Sequence, residues 1–331
     1  MDDPVIAGVR IEAGRRTDLE LRPARLPSGG WMTIPVVAFR GPRPGPTVWL
    51  SAAIHGDEVC GVEIIRQVIG SLTPRKLAGT VLAVPVVNVP GFANGDRYMP
   101  DRRDLNRVFP GSRRGSLASR FAHLFMTEIV QRCDVGIDLH TGSDHRRNIP
   151  QIRADLTHEP TARLARAFAA PYTLHARLRD GSLREAARRA GAITLLYEAG
   201  EAWRFDTEAI RVGVRGVRRV LAHLGTMAFA DEEDTDADSV VLESSSWVRS
   251  PQSGLARLEV DLGDRVADRQ PIGVVADAVG AGARTIRANR TGVIIGRNEA
   301  PVVHRGDALV HIGSPAVSSA EPIPAREEGE P

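Results

Sequence analysis

The sequence predicts an α/β domain built on a layered sheet over residues 1–230, followed by a small all-β module over 240–313. Three observations carry this expectation. Through the first part, β-rich apolar runs alternate with helical periodicities, the pattern of strands interleaved with helices. An acidic run, Asp231-Glu232-Glu233-Asp234-Thr235-Asp236-Ala237-Asp238, then breaks the composition and reads as a solvated linker over 231–239. Beyond it, short β-runs are punctuated by glycine and no helical period recurs. A chain of 331 residues suits two domains at about 150 residues each.

In chain order, strands are predicted over 33–39, 47–54, 80–88, 135–139 and 192–197. Runs 47–54 and 192–197 are almost continuously apolar, as strands buried on both faces are. Between them, a helix over 58–72 sets Val59, Val62, Ile65 and Ile69 at spacings of three and four, and 117–131 and 161–168 follow similar periods. Ser182 and Glu185 form a capping-box pattern for a short helix that Gly191 ends. A last helix over 207–224 closes the domain. In the β module, Gly263-Asp264-Arg265-Val266 and Arg305-Gly306-Asp307 each precede a β-run, a weak internal repeat. Residues 314–331, rich in Pro, Ser and Glu, are expected to be a disordered tail.

Composition narrows the function. Lys+Arg number 43 and Asp+Glu 41, a net charge of +2, which argues against nucleic acid or a membrane surface as the partner. No apolar run approaches the roughly 18 residues of a membrane span, and Met1-Asp2-Asp3-Pro4 carries no basic or apolar leader, so a cytoplasmic protein is expected. Only Cys60 and Cys133 are present, which excludes a disulfide scaffold or an all-cysteine zinc site. Any metal must rest mainly on His and carboxylate.

Four motifs carry candidate chemistry. His55-Gly56-Asp57-Glu58 follows the 47–54 run at a helix start, and a His and a carboxylate three residues apart on a first helical turn share a face and reach one cation. Taken alone, the same pattern also describes a solvent-facing helix start with an acidic first turn. Asp138-Leu139-His140-Thr141-Gly142 and Leu195-Leu196-Tyr197-Glu198-Ala199-Gly200 deliver His140 and Glu198 at the carboxyl ends of two further strands, the edge where open α/β sheets build sites. Asp138, two residues before His140, shares its face on a regular strand and is placed to hydrogen-bond an imidazole. The fourth motif, from Arg97 to Gly111, is a long link whose Leu105, Val108 and Phe109 argue for packing. Its arginines and Asn106 suit carboxylate binding and oxyanion stabilisation. Arg146, Arg147, Arg153 and His145 are further candidate substrate contacts, and Cys60 reads as a packing residue.

Together these motifs, HGDE at 55–58, DLNR at 104–107, DLHTG at 138–142 and YEAG at 197–200, resemble the succinylglutamate desuccinylase/aspartoacylase family of zinc carboxypeptidase-like hydrolases over residues 30–225. The resemblance implies a three-layer αβα domain with a mixed sheet and one Zn2+ per chain, held by His55, Glu58 and His140. It implies Glu198 as the catalytic acid/base and Asn106 and Arg107 as binders of the substrate carboxylate. For the oxyanion it favours Arg97, next to Tyr98, with Arg103 as the runner-up. Three protein ligands leave a fourth position open for water, the mark of a catalytic zinc site.

The β module is similar to the biotinyl/lipoyl-like barrel-sandwich fold. A carrier of that kind needs a lysine at a hairpin tip, and Lys76, the only lysine, lies in the other domain. The module is therefore expected to cover the site or mediate assembly. The resulting expectation is a zinc-dependent amidohydrolase acting on an N-acylated amino acid or similar small molecule, in a homo-oligomer. The alternatives are a metallocarboxypeptidase or esterase on the same centre and a non-catalytic binding protein, whose mark would be a lost ligand or a lost Glu198.

Overall fold

In the computed structural model, which describes residues 3–229 and 239–315, the chain divides into two units at Val240. The acidic run 231–238 and residues 316–331 lie outside the described residues; Ser314 and Pro315, expected to begin the tail, are the end of a strand.

The first unit opens with a short hairpin, β1 (Val5–Ile6) and β2 (Val9–Arg10), then β3 (Arg15–Arg25), β4 (Trp31–Arg40) and β5 (Arg43–Ala52). There follow α1 (Cys60–Ser71), β6 (Ala78–Val84), α2 (Val89–Asn94), α3 (Leu117–Glu128), β7 (Val135–Gly142) and β8 (Arg146–Ala154). The unit closes with α4 (Glu159–Phe168), β9 (Tyr172–His175), α5 (Leu183–Arg189), β10 (Ile193–Glu201) and α6 (Thr207–His223). Within it, the strands run in the order β9-β8-β10-β7-β5-β6-β4-β3. The middle four, β10, β7, β5 and β6, are mutually parallel. Antiparallel β4 and β3 extend one side, and β8, antiparallel to β10, carries β9 on the other.

Strand alternation sorts the side chains into two cores. Val48, Leu50 and Ala52 of β5 join Ile137 and Leu139 of β7 beneath α1, α4 and α6. Trp49, between them in sequence, faces the other way and packs with α3 and α5. Trp49 pairs in register with Gly136, and a Cβ on that glycine would fall 1.9 Å from Trp49 Cζ2. The indole therefore occupies the space of the missing side chain.

Several expected elements shift. The strand over 80–88 stops at Val84, because Asn88 caps a helix: its Oδ1 accepts the Gly91 N–H at 2.9 Å, opening α2 where only a loop was foreseen. Helix α1 starts at Cys60, so HGDE is a turn and not a first helical turn, closed by the Glu58 N–H donating to His55 O at 3.1 Å. Strand β10 runs on through Glu198 to Glu201. Ser182 caps α5 by accepting the Glu185 N–H at 3.2 Å, whereas the Glu185 carboxylate pairs with Arg189, so the capping box is half made. Strands β3, β8 and β9 had no counterpart in the sequence reading. β3 mixes exposed arginines with buried residues and β8 half-buried arginines with buried residues, and their pairing depends on partners distant in sequence.

The second unit holds two antiparallel sheets around one core. One has the order β13-β16-β18-β11, from Arg265–Val266, Gly292–Asn298, Ala308–Pro315 and Val240–Arg249. The other has the order β15-β14-β12-β17, from Arg284–Arg287, Pro271–Ala276, Gly254–Leu258 and Val302–Val303. Both supply the core, with Val248, Val266, Ile294 and Ile312 meeting Ile272, Val275, Ile286 and Val303. The faint sequence repeat is a repeated turn: Asp264 Oδ2 accepts the Asp261 N–H and Asp307 Oδ2 the His304 N–H, each at 2.8 Å, with Gly263 and Gly306 at positive φ.

Gly136→Ala tests the central register. Because overpacking at Trp49 has no flexible side chain to absorb it, the variant is expected to lose about 1–3 kcal/mol of stability, read by denaturant unfolding.

Candidate metal centre

Glu58 is 2% exposed, and both of its oxygens are engaged. Oε1 lies 2.7 Å from His55 Nδ1 and Oε2 lies 2.8 Å from His140 Nδ1; Oε2 also accepts the Thr141 N–H at 3.1 Å. The three residues offer ligand atoms within 4.8 Å of one another, all buried. The turn that sets His55 beside Glu58 needs its glycine, since a Cβ on Gly56 would meet the backbone of Gly91 in α2 at 2.1 Å. His140 comes from β7, where it pairs in register with Glu198 of the neighbouring parallel strand β10.

The far side of each ring is held by a carboxylate. His55 Nε2 is 3.1 Å from Asp104 Oδ1, and His140 Nε2 is 2.8 Å from Asp138 Oδ2. Behind Asp138, the Ser51 hydroxyl donates to Oδ1 at 2.7 Å and itself accepts from Trp49 Nε1 at 3.3 Å. Such back-side carboxylates fix the ring orientation and leave Nδ1 as the atom that could ligate an ion. Two imidazole nitrogens and one carboxylate suit Zn2+, so the donor set fits that ion.

The three groups shift one another's protonation. Burial opposes the charge on each, yet His55 and His140 outweigh it at Glu58 and hold that carboxyl well below its usual range. Burial would likewise lower both imidazoles, but Asp138 and Glu58 hold His140 well above the ordinary histidine value, and Glu58 with Asp104 raises His55. Asp57 is pushed up to about 6, by burial and then by Glu58.

Arg97 stands at the edge of this cluster. Its Nη1 donates to Ser143 Oγ at 2.6 Å and to Glu58 Oε1 at 3.3 Å, while Nη2 donates to Asp104 Oδ2 at 3.0 Å. Asn88 Nδ2 donates to the Arg97 carbonyl at 3.3 Å, tying the arginine's backbone to the α2 cap. Asp104 thus joins His55 to Arg97. Nothing in the sequence gives Asp104 a role of its own, and its position at the head of DLNR is the signal that points to it. Glu198 is held by Asn148 Nδ2, which donates to Oε2 at 2.8 Å, and by Arg153 Nη1, 3.5 Å from Oε1. Asn148 was missed because β8 itself was missed.

The DLNR loop packs through buried Leu105 and Phe109. Asn106 Oδ1 accepts the Leu183 N–H of α5 at 2.8 Å, leaving Nδ2 to donate elsewhere. Arg107 is exposed, and its Nη1 donates to Asn106 O at 2.6 Å. Partial burial and the charges of Arg179 and Arg97 lower its pKa against the pull of Asp104, which marks a patch of positive potential. Arg103 is not brought to the cluster: it is exposed, with Asp101 as its ion-pair partner at 3.9 Å. Arg146 lies 3.4 Å from Asp144. Cys60 is buried and its thiol pushed up to about 11, by burial first, as a packing residue's would be.

A mixed α/β sheet carries a buried His2Glu group that could hold a metal ion beside the ends of its parallel strands, and comparison with known proteins specifies the family. Residues 44–224 match the succinylglutamate desuccinylase/aspartoacylase catalytic domain. The chain is 31% identical over 297 residues to N-alpha-acetyl-L-2,4-diaminobutyric acid deacetylase of Halomonas elongata, covering 86% of each protein. The product-bound structure of the ectoine utilization protein EutE (DoeB) from Ruegeria pomeroyi is similar at 25% identity and a TM-score of 0.85, covering 95% of this chain and all of that one. A succinylglutamate desuccinylase/aspartoacylase from Rhodobacter sphaeroides is similar at 26% identity and a TM-score of 0.84, covering 94% of this chain and 99% of its own. The chain belongs to the succinylglutamate desuccinylase/aspartoacylase family, a family of deacylases. Among the described residues, no helix is long and apolar enough to cross a membrane.

Two measurements probe the centre. Asp138→Asn, which is nearly isosteric but a poorer acceptor for the His140 N–H, is expected to weaken zinc binding about 10–100-fold in a competition titration. Since the metal-free imidazoles hold protons above their ordinary range, cation binding is expected to release up to about two protons and to weaken as pH falls. Calorimetry in buffers of different ionisation enthalpy counts them; zero release would contradict the protonated cluster.

Proposed function

We propose that the protein is a zinc-dependent amidohydrolase that removes the acyl group from an N-acylated amino acid or a similar small molecule. The observation that carries this reading is the convergence of His55 Nδ1 and His140 Nδ1 on Glu58, each ring backed by its own carboxylate, with Glu198 on the adjacent parallel strand. The match along 86% of a deacetylase of an N-acetylated diamino acid supports an amide over an ester or a peptide. In this reading the catalytic unit is a three-layer αβα zinc-carboxypeptidase-like domain and the second unit a barrel-sandwich accessory domain. Both cysteines are free and buried, in keeping with a reducing, cytoplasmic setting.

His55, Glu58 and His140 would hold the ion, which supplies Lewis-acid activation of water and of the substrate carbonyl when bound. The remaining steps fall to the chain's own residues. Asn148 donates to Glu198 and Arg153 pairs with it, which holds its carboxylate in place to act as a base. Glu198 takes the proton from the attacking water as the new C–O bond forms, and returns it to the amine nitrogen as the C–N bond breaks. Arg97, bonded to Glu58 and Asp104, presents its guanidinium beside the centre, where charge develops on the carbonyl oxygen. Asn106 Nδ2 and Arg107 receive the substrate carboxylate. The products are a carboxylate and a free amine.

Glu198→Gln separates chemistry from metal binding. Elemental analysis is expected to find about one zinc per chain in both proteins, while kcat on N-acetyl amino acids falls about 10²–10⁴-fold. A rate equal to wild type would remove Glu198 from this role.

A further inference from the structure

We propose that Trp203, with His145, forms the wall against which the substrate's acyl group lies, and that this wall favours short acyl chains ending in methyl over chains ending in a carboxylate. The proposal rests on the deacylase reading above and names the acyl class.

Trp203 lies in the link between β10 and α6 with φ at 61°, a left-handed conformation that bulky residues rarely adopt. It is nonetheless 51% exposed. Both of its donors are fixed: the backbone N–H donates to Asp57 O at 2.8 Å and Nε1 donates to Gly95 O at 2.7 Å. Gly95 is itself left-handed, and a Cβ there would sit 3.4 Å from the indole nitrogen. The ring packs against His145 with centroids 5.7 Å apart. A half-exposed aromatic is thus tied to the polypeptide at three points.

All three anchors lie within two residues, in sequence, of residues bonded in the cluster. Asp57 precedes Glu58, Gly95 lies two residues before Arg97, and His145 lies two residues after Ser143, whose hydroxyl accepts from Arg97 at 2.6 Å. Arg97 therefore has two flanks. Nη2 points to Asp104, at the head of the loop carrying Asn106 and Arg107; Nη1 points to Glu58 and to Ser143, which lies in the same β7–β8 link as His145, the ring partner of Trp203. In an N-acyl amino acid the carboxylate belongs to the amine half, and the carbonyl separates it from the acyl tail. With the carboxylate on the Arg107 flank and the carbonyl at Arg97, the tail runs to the Ser143 flank and onto the indole. Because both Trp203 donors are committed to carbonyls, the ring offers only its π face, which is electronegative: it suits a methyl group and repels a second carboxylate.

The test uses the full-length, zinc-loaded protein and the N-formyl, N-acetyl, N-butyryl and N-succinyl derivatives of L-2,4-diaminobutyrate. Wild type is expected to favour N-acetyl and N-butyryl over N-succinyl by about tenfold or more in kcat/KM. Trp203→Ala should raise KM for N-butyryl about tenfold with kcat little changed and leave N-formyl unaffected, and Trp203→Phe should retain the wild-type preference. If Trp203→Ala fails to fold, His145→Ala carries the same expectation in weaker form. A second readout is independent of turnover: tryptophan fluorescence of Glu198→Gln should respond to the N-butyryl compound and lose that response when Trp203→Phe is added. Preference for N-succinyl, an equal effect of Trp203→Ala on N-formyl and N-butyryl, or a fluorescence response that survives Trp203→Phe overturns the proposal and leaves the deacylase reading standing. No turnover of any of the four compounds by wild type overturns both.

Discussion

A carboxylate buried between two imidazoles is the constraint on which the catalytic unit depends. Glu58 has almost no contact with solvent, and an ion in that position costs several kcal/mol unless opposite charge and hydrogen bonds surround it. Its partners come from three parts of the chain: His55 from the same turn, His140 and the N–H of Thr141 from a strand end, and Arg97 from the link after α2. Each partner then needs its own support. Asp104 must cross from the DLNR loop to His55, and Asp138 must lie on the same face of β7 as His140. Removing one member would strand charge on the others, so the site and the surrounding fold are specified together.

The parallel sheet makes this convergence possible. Trp49 lies opposite Gly136, Ser51 opposite Asp138, and His140 opposite Glu198 across three adjacent strands. Each pair lies two residues further along than the last, so the alternating side chains share one face and form a continuous path from the core to the centre. At its buried end Trp49 fills the gap over a glycine and donates to Ser51; at its open end Glu198 is partly exposed and gripped by β8. The apolar packing of the sheet and the aim of the clustered imidazoles and carboxylates are thereby linked through a few hydrogen bonds.

Much of this was legible in local pattern. The apolar runs located β5, β7 and β10, the helical spacings located α1, α3, α4 and α6, and the motifs supplied His55, Glu58, His140 and Glu198. Asp138 was legible too, because period-two alternation places it on the His140 face and an imidazole ligand requires a partner. The boundaries were less so. HGDE resembles a helix start, and only the close approach of Gly56 to α2 makes it a turn that ends before α1 begins. Strand β8 went unseen because its residues alternate arginine with apolar and polar neighbours, and with it went Asn148 and the ion pair of Arg153 with Glu198.

By itself, the sequence determined which chemical groups are present, the order of the elements that carry them, and that a metal must rest on His and carboxylate in a chain with two cysteines. Only the tertiary structure decided which nitrogen of each histidine faces Glu58, that Asp104 joins His55 to Arg97, that Arg103 stays outside, and that Trp203 packs against His145 and donates to the carbonyls of Asp57 and Gly95. Residue types and short spacings are local properties of the chain. Strand register, and the close approach of loops separated by tens or hundreds of residues, arise only when hydrogen bonding and core packing are satisfied throughout the sheet at once.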